Sequence, residues 1–129
     1  MRLLIDTQCW LWMHLAPERF SQKTRRLLRR RETDVLLSVA SIWEIAIKHG
    51  LGKLRLPEPV ERWVPSRIQL GQTAIVAIEV PHALRVATLP PLHRDPFDRL
   101  IVAQALVEGV PLVTADPALG DYGIDVVSA

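Results

Sequence analysis

The sequence predicts an α/β domain built on a mainly parallel sheet, and three observations carry that prediction. Short apolar runs alternate with helix-length segments along the whole chain; the boundaries between them fall at Asp, Ser, Pro or Gly; and 49% apolar with 23% charged residues is the make-up of a globular chain. No repeat, low-complexity stretch or interdomain linker interrupts the pattern, so one domain over residues 1–129 is expected.

Met1 to Asp6 (MRLLID) reads as a short strand ending in an acid, and a helix follows at once from Thr7 to Leu15, closed by Pro17. Ser21 is placed to cap a helix from Gln22 to Arg31. Val35 to Leu37 forms a second strand, leading through Ser38 into a helix that runs to about His49 and stops at Gly50 and Gly52. The Pro-punctuated stretch Leu56 to Val64 holds a short helix, Ala74 to Ile78 a third strand, and Pro81 suits the first turn of another helix. Pro90, Pro91 and Pro96 bracket a rigid loop before the apolar helix Pro96 to Glu108, which Gly109 ends. Val110 to Thr114 is the fourth strand, and a turn over Asp116 to Gly120 leads to a last strand near Ile124 to Val127.

Two function classes fall away. The longest stretches without a formal charge, Thr7 to Pro17 and Ile68 to Ile78, are 11 residues each, about half of the roughly 20 that a spanning helix needs. The lone Cys9 cannot form an internal disulfide, and no signal-type order of segments opens the chain, so cytoplasmic residence is expected. Net charge is +2, but residues 1–65 carry 12 Lys and Arg against 7 Asp and Glu, whereas residues 66–129 carry 4 against 7. That asymmetry suits an anionic partner such as nucleic acid.

Four acids stand where an apolar neighbourhood is expected: Asp6, Glu44, Asp98 and Asp116. Asp6 and Asp116 each follow a strand, where an Asp can simply cap a helix or start a turn; the carboxyl ends of strands are also where open α/β sheets bind ligands. On the helix from Val39, Ser41, Glu44 and Lys48 share one stripe while apolar residues cover the remainder, so the helix is expected to be mostly buried. Glu44 then either pairs with Lys48 at i,i+4 or faces a polar pocket in which Ser41 orients it. Asp95 is an N-cap ahead of Pro96, and Asp98 lies one turn into a helix that is apolar from Leu100 to Val107 except at Gln104.

Were these carboxylates to converge, each pair near 4 Å would repel by about 4 kcal/mol at an effective dielectric near 20. A hard divalent cation such as Mg²⁺ or Mn²⁺ relieves that repulsion, and such sites serve phosphodiester hydrolysis. Competing motifs are poor. The histidines and Cys9 lack zinc spacing, Gly50-Leu51-Gly52 lacks the third glycine of a dinucleotide loop, and Ser41 with His93 lacks a nucleophile elbow. The basic run Lys23, Arg25, Arg26, Arg29, Arg30 and Arg31 reads first as a solvated face, with steering of RNA phosphates towards the acids, or contact with an acidic partner, as the alternatives. Trp10, Trp12, Trp43 and Trp63 read as core residues, except that Trp10 and Trp12 lie about 200° apart on their helix, so one of the two is free for an interface.

The pieces LLIDT (3–7), SIWEIAIKHGLGKL (41–54), LPPLHRDPFDRLIVAQA (89–105) and LVTAD (112–116), in this order, resemble the PIN-domain nucleases, and more closely the VapC toxin ribonucleases of type II toxin–antitoxin systems. The resemblance covers essentially the whole chain. It implies a three-layer α/β/α fold with a central sheet of four to five strands, and a single PIN domain over 1–129. It places Asp6, Glu44, Asp98 and Asp116 in the family's four acidic positions around one or two Mg²⁺ or Mn²⁺ ions, with Asp6 and Asp98 as direct ligands. Thr7, Ser41 and Thr114 become supporting hydroxyls, with Asp95 and His93 nearby. The implied activity is endonucleolytic cleavage of RNA, and the implied partners are a second copy in a homodimer and a VapB-type antitoxin. Two other readings share these acids: a PIN nuclease outside toxin biology, acting in RNA maturation or on DNA, and a regulatory α/β domain that binds metal without cleaving.

Overall fold

The computed structural model describes residues 1–129. Five strands form one sheet in the order β3-β2-β1-β4-β5: β1 is Arg2–Ile5, β2 Asp34–Ser38, β3 Ala74–Val76, β4 Leu112–Thr114 and β5 Val126–Ser128. All four pairings are parallel, with Leu4 opposite Leu36 on one side and Leu112 on the other. The six α-helices are α1 Thr7–Leu15, α2 Gln22–Arg29, α3 Val39–Gly50, α4 Val60–Leu70, α5 Val80–Val86 and α6 Pro96–Glu108. The expected fold class is therefore found, with five strands and no antiparallel member.

Period-two alternation sorts the strand side chains onto two faces. Leu4, Leu36 and Leu112 meet Val102 and Ala105 of α6 in one core, while Leu3, Ile5, Leu37 and Val113 meet Trp10 of α1 and Trp63 of α4 in the other. The three inner strands β1, β2 and β4 are thus buried on both sides, which explains why their sequences are almost uninterrupted apolar runs. Trp10 is fully buried, lies edge-on to Trp63 at 5.8 Å and donates its indole N–H to Thr73 Oγ1 at 3.3 Å.

Local signals set most boundaries. Ser21 accepts the Thr24 amide and begins α2; Asp95 accepts the amides of Phe97 and Asp98 and begins α6; Gly109, at φ +65°, ends α6 in the left-handed region. Three expectations are corrected. The short helix expected within Leu56 to Val64 is the 11-residue α4, which continues through Pro65 because Trp63 and Val64 are anchored in the core. α2 stops at Arg29, two residues early. And α3 is not buried all round: Val39, Trp43 and Ile47, one stripe at i, i+4 and i+8, are exposed, Trp43 by 57%.

Strand order decides where the site lies. From β1 the chain moves to β2 and β3 on one side, then returns to β4 on the other side of β1. The crevice beyond the carboxyl ends of β1 and β4 is the switch point of the sheet.

Candidate active site

Asp6 follows β1 and Asp116 follows β4 by two residues, so both stand at that switch point. α3 leaves the end of β2 and brings Glu44 to the same edge, and the first turn of α6 brings Asp98 with its capping neighbour Asp95. All five acids line one cleft of about 570 Å³, together with Lys48 and Lys53. The four acids singled out from the sequence are brought together.

Three of the four are fixed by hydrogen bonds, while Asp98 has only His93 Nε2 beside it, at 3.8 Å. Asp6, almost buried, caps α1 by accepting the Cys9 amide at 2.8 Å through Oδ1. Glu44, 4% exposed, has one oxygen 2.6 Å from the Thr7 hydroxyl and the other 2.6 Å from Lys48 Nζ. Thr7 and Ser41 hydroxyls are 2.9 Å apart; since Thr7 has one proton and donates it to Glu44, Ser41 donates to Thr7. Both readings of the Glu44 stripe therefore hold at once: it pairs with Lys48 and it faces a polar pocket with Ser41 behind it. Asp116 caps the 3-10 turn Pro117–Tyr122 by accepting the Ala118 amide, and donates its own N–H to Thr114 Oγ1 at 3.0 Å. His93 accepts the Asp95 amide at Nδ1, which puts its proton on Nε2, 3.2 Å from Asp116 and 3.8 Å from Asp98. His93 thus pairs with acids and Ser41 with Thr7, so no Ser–His nucleophile is assembled.

The electrostatics show negative charge in excess. Burial raises the pKa of Asp6, aided by the Glu44 charge and opposed by hydrogen bonds from Thr114 and Cys9. Burial and then the Asp95 carboxylate push Asp98 up to about 6, against the pull of His93. The hydrogen bond to Glu44 raises Lys48, and the charges of Asp95 and Asp98 across the cleft add to it. Two acids disfavoured as anions, beside three more, call for a further positive charge. An all-oxygen carboxylate donor set fits Mg²⁺ or Mn²⁺ rather than a softer metal. As they stand, no three of the Asp, Glu, His and Cys side chains close around a single point; the carboxylates share a cleft without converging.

One charged lining residue escaped the sequence reading: Lys53 went unremarked, although its position directly after Gly52 was a signal for a chain reversal. Asp95, expected as a cap near the site, both caps α6 and lines the cleft. The end of the basic run is placed elsewhere: Arg29, Arg30 and Arg31 line a groove with Asp34, at the amino-terminal end of the sheet and across it from the acids. The first turn of α2 lies at the opposite end, where Thr24 donates to the Ser128 carbonyl.

The sequence profile of the PIN domain family matches residues 3–124. Ribonuclease VapC22 of Mycobacterium tuberculosis (strain ATCC 25618 / H37Rv) is 27% identical over 120 residues, 93% of this chain and 91% of the relative. Ribonuclease VapC16 of the same organism is 40% identical over 60 residues, which make up 46% of this chain and only 43% of the relative. Among solved structures, VapBC2 from Rickettsia felis bound to a DNA fragment from its promoter superposes with a TM-score of 0.72 at 17% identity, covering 99% of this chain and 98% of that one. VapBC-5 from Mycobacterium tuberculosis gives 0.62 at 14% identity, covering 99% and 98%. These structural likenesses concern the fold. With the profile reaching four of the five strands and every acid of the cleft, the chain belongs to the PIN domain family.

Proposed function

We propose that this chain is a metal-dependent endoribonuclease, one PIN domain over 1–129, acting as the toxin of a VapBC-type toxin–antitoxin pair. The observation that carries the reading is the gathering of Asp6, Glu44, Asp98 and Asp116 in one cleft at the switch point of a parallel sheet. These four would hold Mg²⁺ or Mn²⁺, with Asp6 and Asp98, the acids whose pKa burial raises, as direct ligands. When bound, the ion acidifies an attacking water and offsets the charge of the phosphodiester.

The chain's own residues do the rest. The Ser41–Thr7 relay fixes the Glu44 carboxylate, whose oxygens keep spare lone pairs for a further contact. Thr114 fixes the backbone that carries Asp116, and His93 holds a proton on Nε2 beside Asp98 and Asp116. RNA is the substrate class because the curated relatives are named ribonucleases. A VapB-type antitoxin is the cognate partner, and the exposed stripe Val39, Trp43 and Ile47 on α3 is the surface a second copy would cover in a homodimer. No helix is long and apolar enough to cross a membrane, and Cys9, a buried free thiol, suits the reducing cytoplasm.

The test is cleavage of a defined RNA with Mg²⁺, with EDTA, and with Asp98→Asn. Cutting that needs the ion and is lost in the variant is the expected result; cutting in EDTA, or full activity in the variant, refutes it. A fold of this class without catalysis predicts Mn²⁺ binding with no cut product under any condition.

A further inference from the structure

An acid-lined cleft repels the polyanion it is proposed to cut, and the arginine-rich end of α2 lies at the other edge of the sheet. The cations that line the cleft are Lys48 and Lys53, and both come from the end of α3. Lys48 projects from the same stripe as Glu44, its Nζ 2.6 Å from Glu44 Oε2 and its side chain half exposed. α3 then closes in a Schellman turn. The Lys53 amide donates to the Lys48 carbonyl at 2.9 Å and the Gly52 amide to the His49 carbonyl at 3.1 Å.

Gly52 sits at φ +72° with open space around its Cα, so the backbone and not packing requires glycine there. His49 Nδ1, 3.1 Å from the Leu54 carbonyl, ties down the far side of the turn. The reversal brings Lys53 back to the cleft wall it shares with Lys48. Glu44 serves as the positioning residue: a buried carboxylate, braced by Thr7, holds the Lys48 ammonium on the α3 side of the cleft.

We propose that Lys48 and Lys53 form a phosphate-binding wall, taking backbone phosphates of single-stranded RNA on either side of the bond to be cut. This rests on the nuclease reading above. Lysine suits the task, since a flexible stem carrying a compact charge can follow an irregular, unpaired backbone without demanding one geometry.

The experiment measures fluorescence anisotropy of a hydrolysis-resistant phosphorothioate oligoribonucleotide of mixed sequence, with Mn²⁺ present, over a series of KCl concentrations. Wild type, Lys48→Met, Lys48→Arg and Lys53→Ala are compared, and Mn²⁺ binding to each is followed by calorimetry. Each lysine removed is expected to weaken RNA binding about tenfold and to reduce the slope of log affinity against log salt by about 0.7. Lys48→Arg restores the slope, while Mn²⁺ affinity is unchanged in Lys53→Ala and unchanged or tighter in Lys48→Met, which removes a competing cation. Lys53 is in no ion pair with an acid, so its variant keeps the test open should Lys48→Met fold poorly. Unchanged slopes in both variants, or a loss of Mn²⁺ affinity that parallels every loss of RNA binding, would overturn the proposal. Loss of slope in a protein that binds no Mn²⁺ would support the lysine wall and refute the metal reading alone.

Discussion

Replacing Asp98 by asparagine is expected to stabilise the ion-free protein and, in the same stroke, to end its response to Mn²⁺. The Asp98 carboxyl titrates at about 6 against an ordinary 3.8, so keeping it ionised at neutral pH costs the folded chain at most about 3 kcal/mol. Its side chain is 27% exposed, and solvent screening, with the favourable place of an anion in a helix's first turn, reduces the net gain from Asn to about 1 kcal/mol. For a chain of this length that is a rise of roughly 3–5 °C in Tm. The sign follows from proton linkage. A carboxyl whose pKa is higher folded than unfolded makes the wild type lose stability as pH rises through the interval from 3.8 to about 6. The variant's advantage should therefore be absent near the lower bound and complete above the upper one. Melts in EDTA across that range and at neutral pH, the latter repeated with Mn²⁺, check both halves: at an ion concentration of 100 times Kd the wild type gains about 2.7 kcal/mol and the variant nothing. A variant less stable than wild type in EDTA at neutral pH, or one that Mn²⁺ stabilises equally, would refute the reasoning.

Three further outcomes follow from the same physics. Burial, with the Arg67 charge, pushes His14 down to about 4 from 6.5; the native state resists protonation there, so stability falls as pH drops through that interval. His14→Gln should flatten the fall by about 1–2 kcal/mol after allowance for partial exposure, read as the difference in Tm between the two ends of the interval. Gly109→Ala forces an L side chain to φ +65° with nothing crowding it, costing about 1 kcal/mol in melts while Mn²⁺ binding at the cleft stays intact. Trp43→Glu, on the exposed stripe of α3, should halve the mass seen by light scattering with unchanged circular dichroism; a wild type already of monomer mass would remove the case for a second copy there.

Much of this architecture could be read from residue order because it rests on local chemistry. Asp6, Ser21 and Asp95 are caps whose side chains reach amides two or three residues away, and Gly109 ends α6 by its own conformational freedom. The acids were recognisable because a carboxylate after an apolar strand, or within an apolar helix, is conspicuous. What stayed hidden depended on distant packing. α4 runs through Pro65 because the core on its side of the sheet holds Trp63 and Val64, which no propensity conveys. The outer stripe of α3 looks like core in sequence, since apolar residues facing a partner and apolar residues facing a sheet have the same spacing. The displacement of Arg29, Arg30 and Arg31 from the cleft follows from β2 running away from them, a matter of topology rather than composition.

Asp6, Asp95 and Asp116 each begin a helix or helical turn as well as lining the cleft. Asparagine keeps an oxygen for the amide beneath it, whereas alanine removes the cap along with the charge. A chain silenced by asparagine at these places would retain its shape and its outer surface, which makes it an inert double of the native protein: safe to overproduce, and able to fish out whatever normally restrains it.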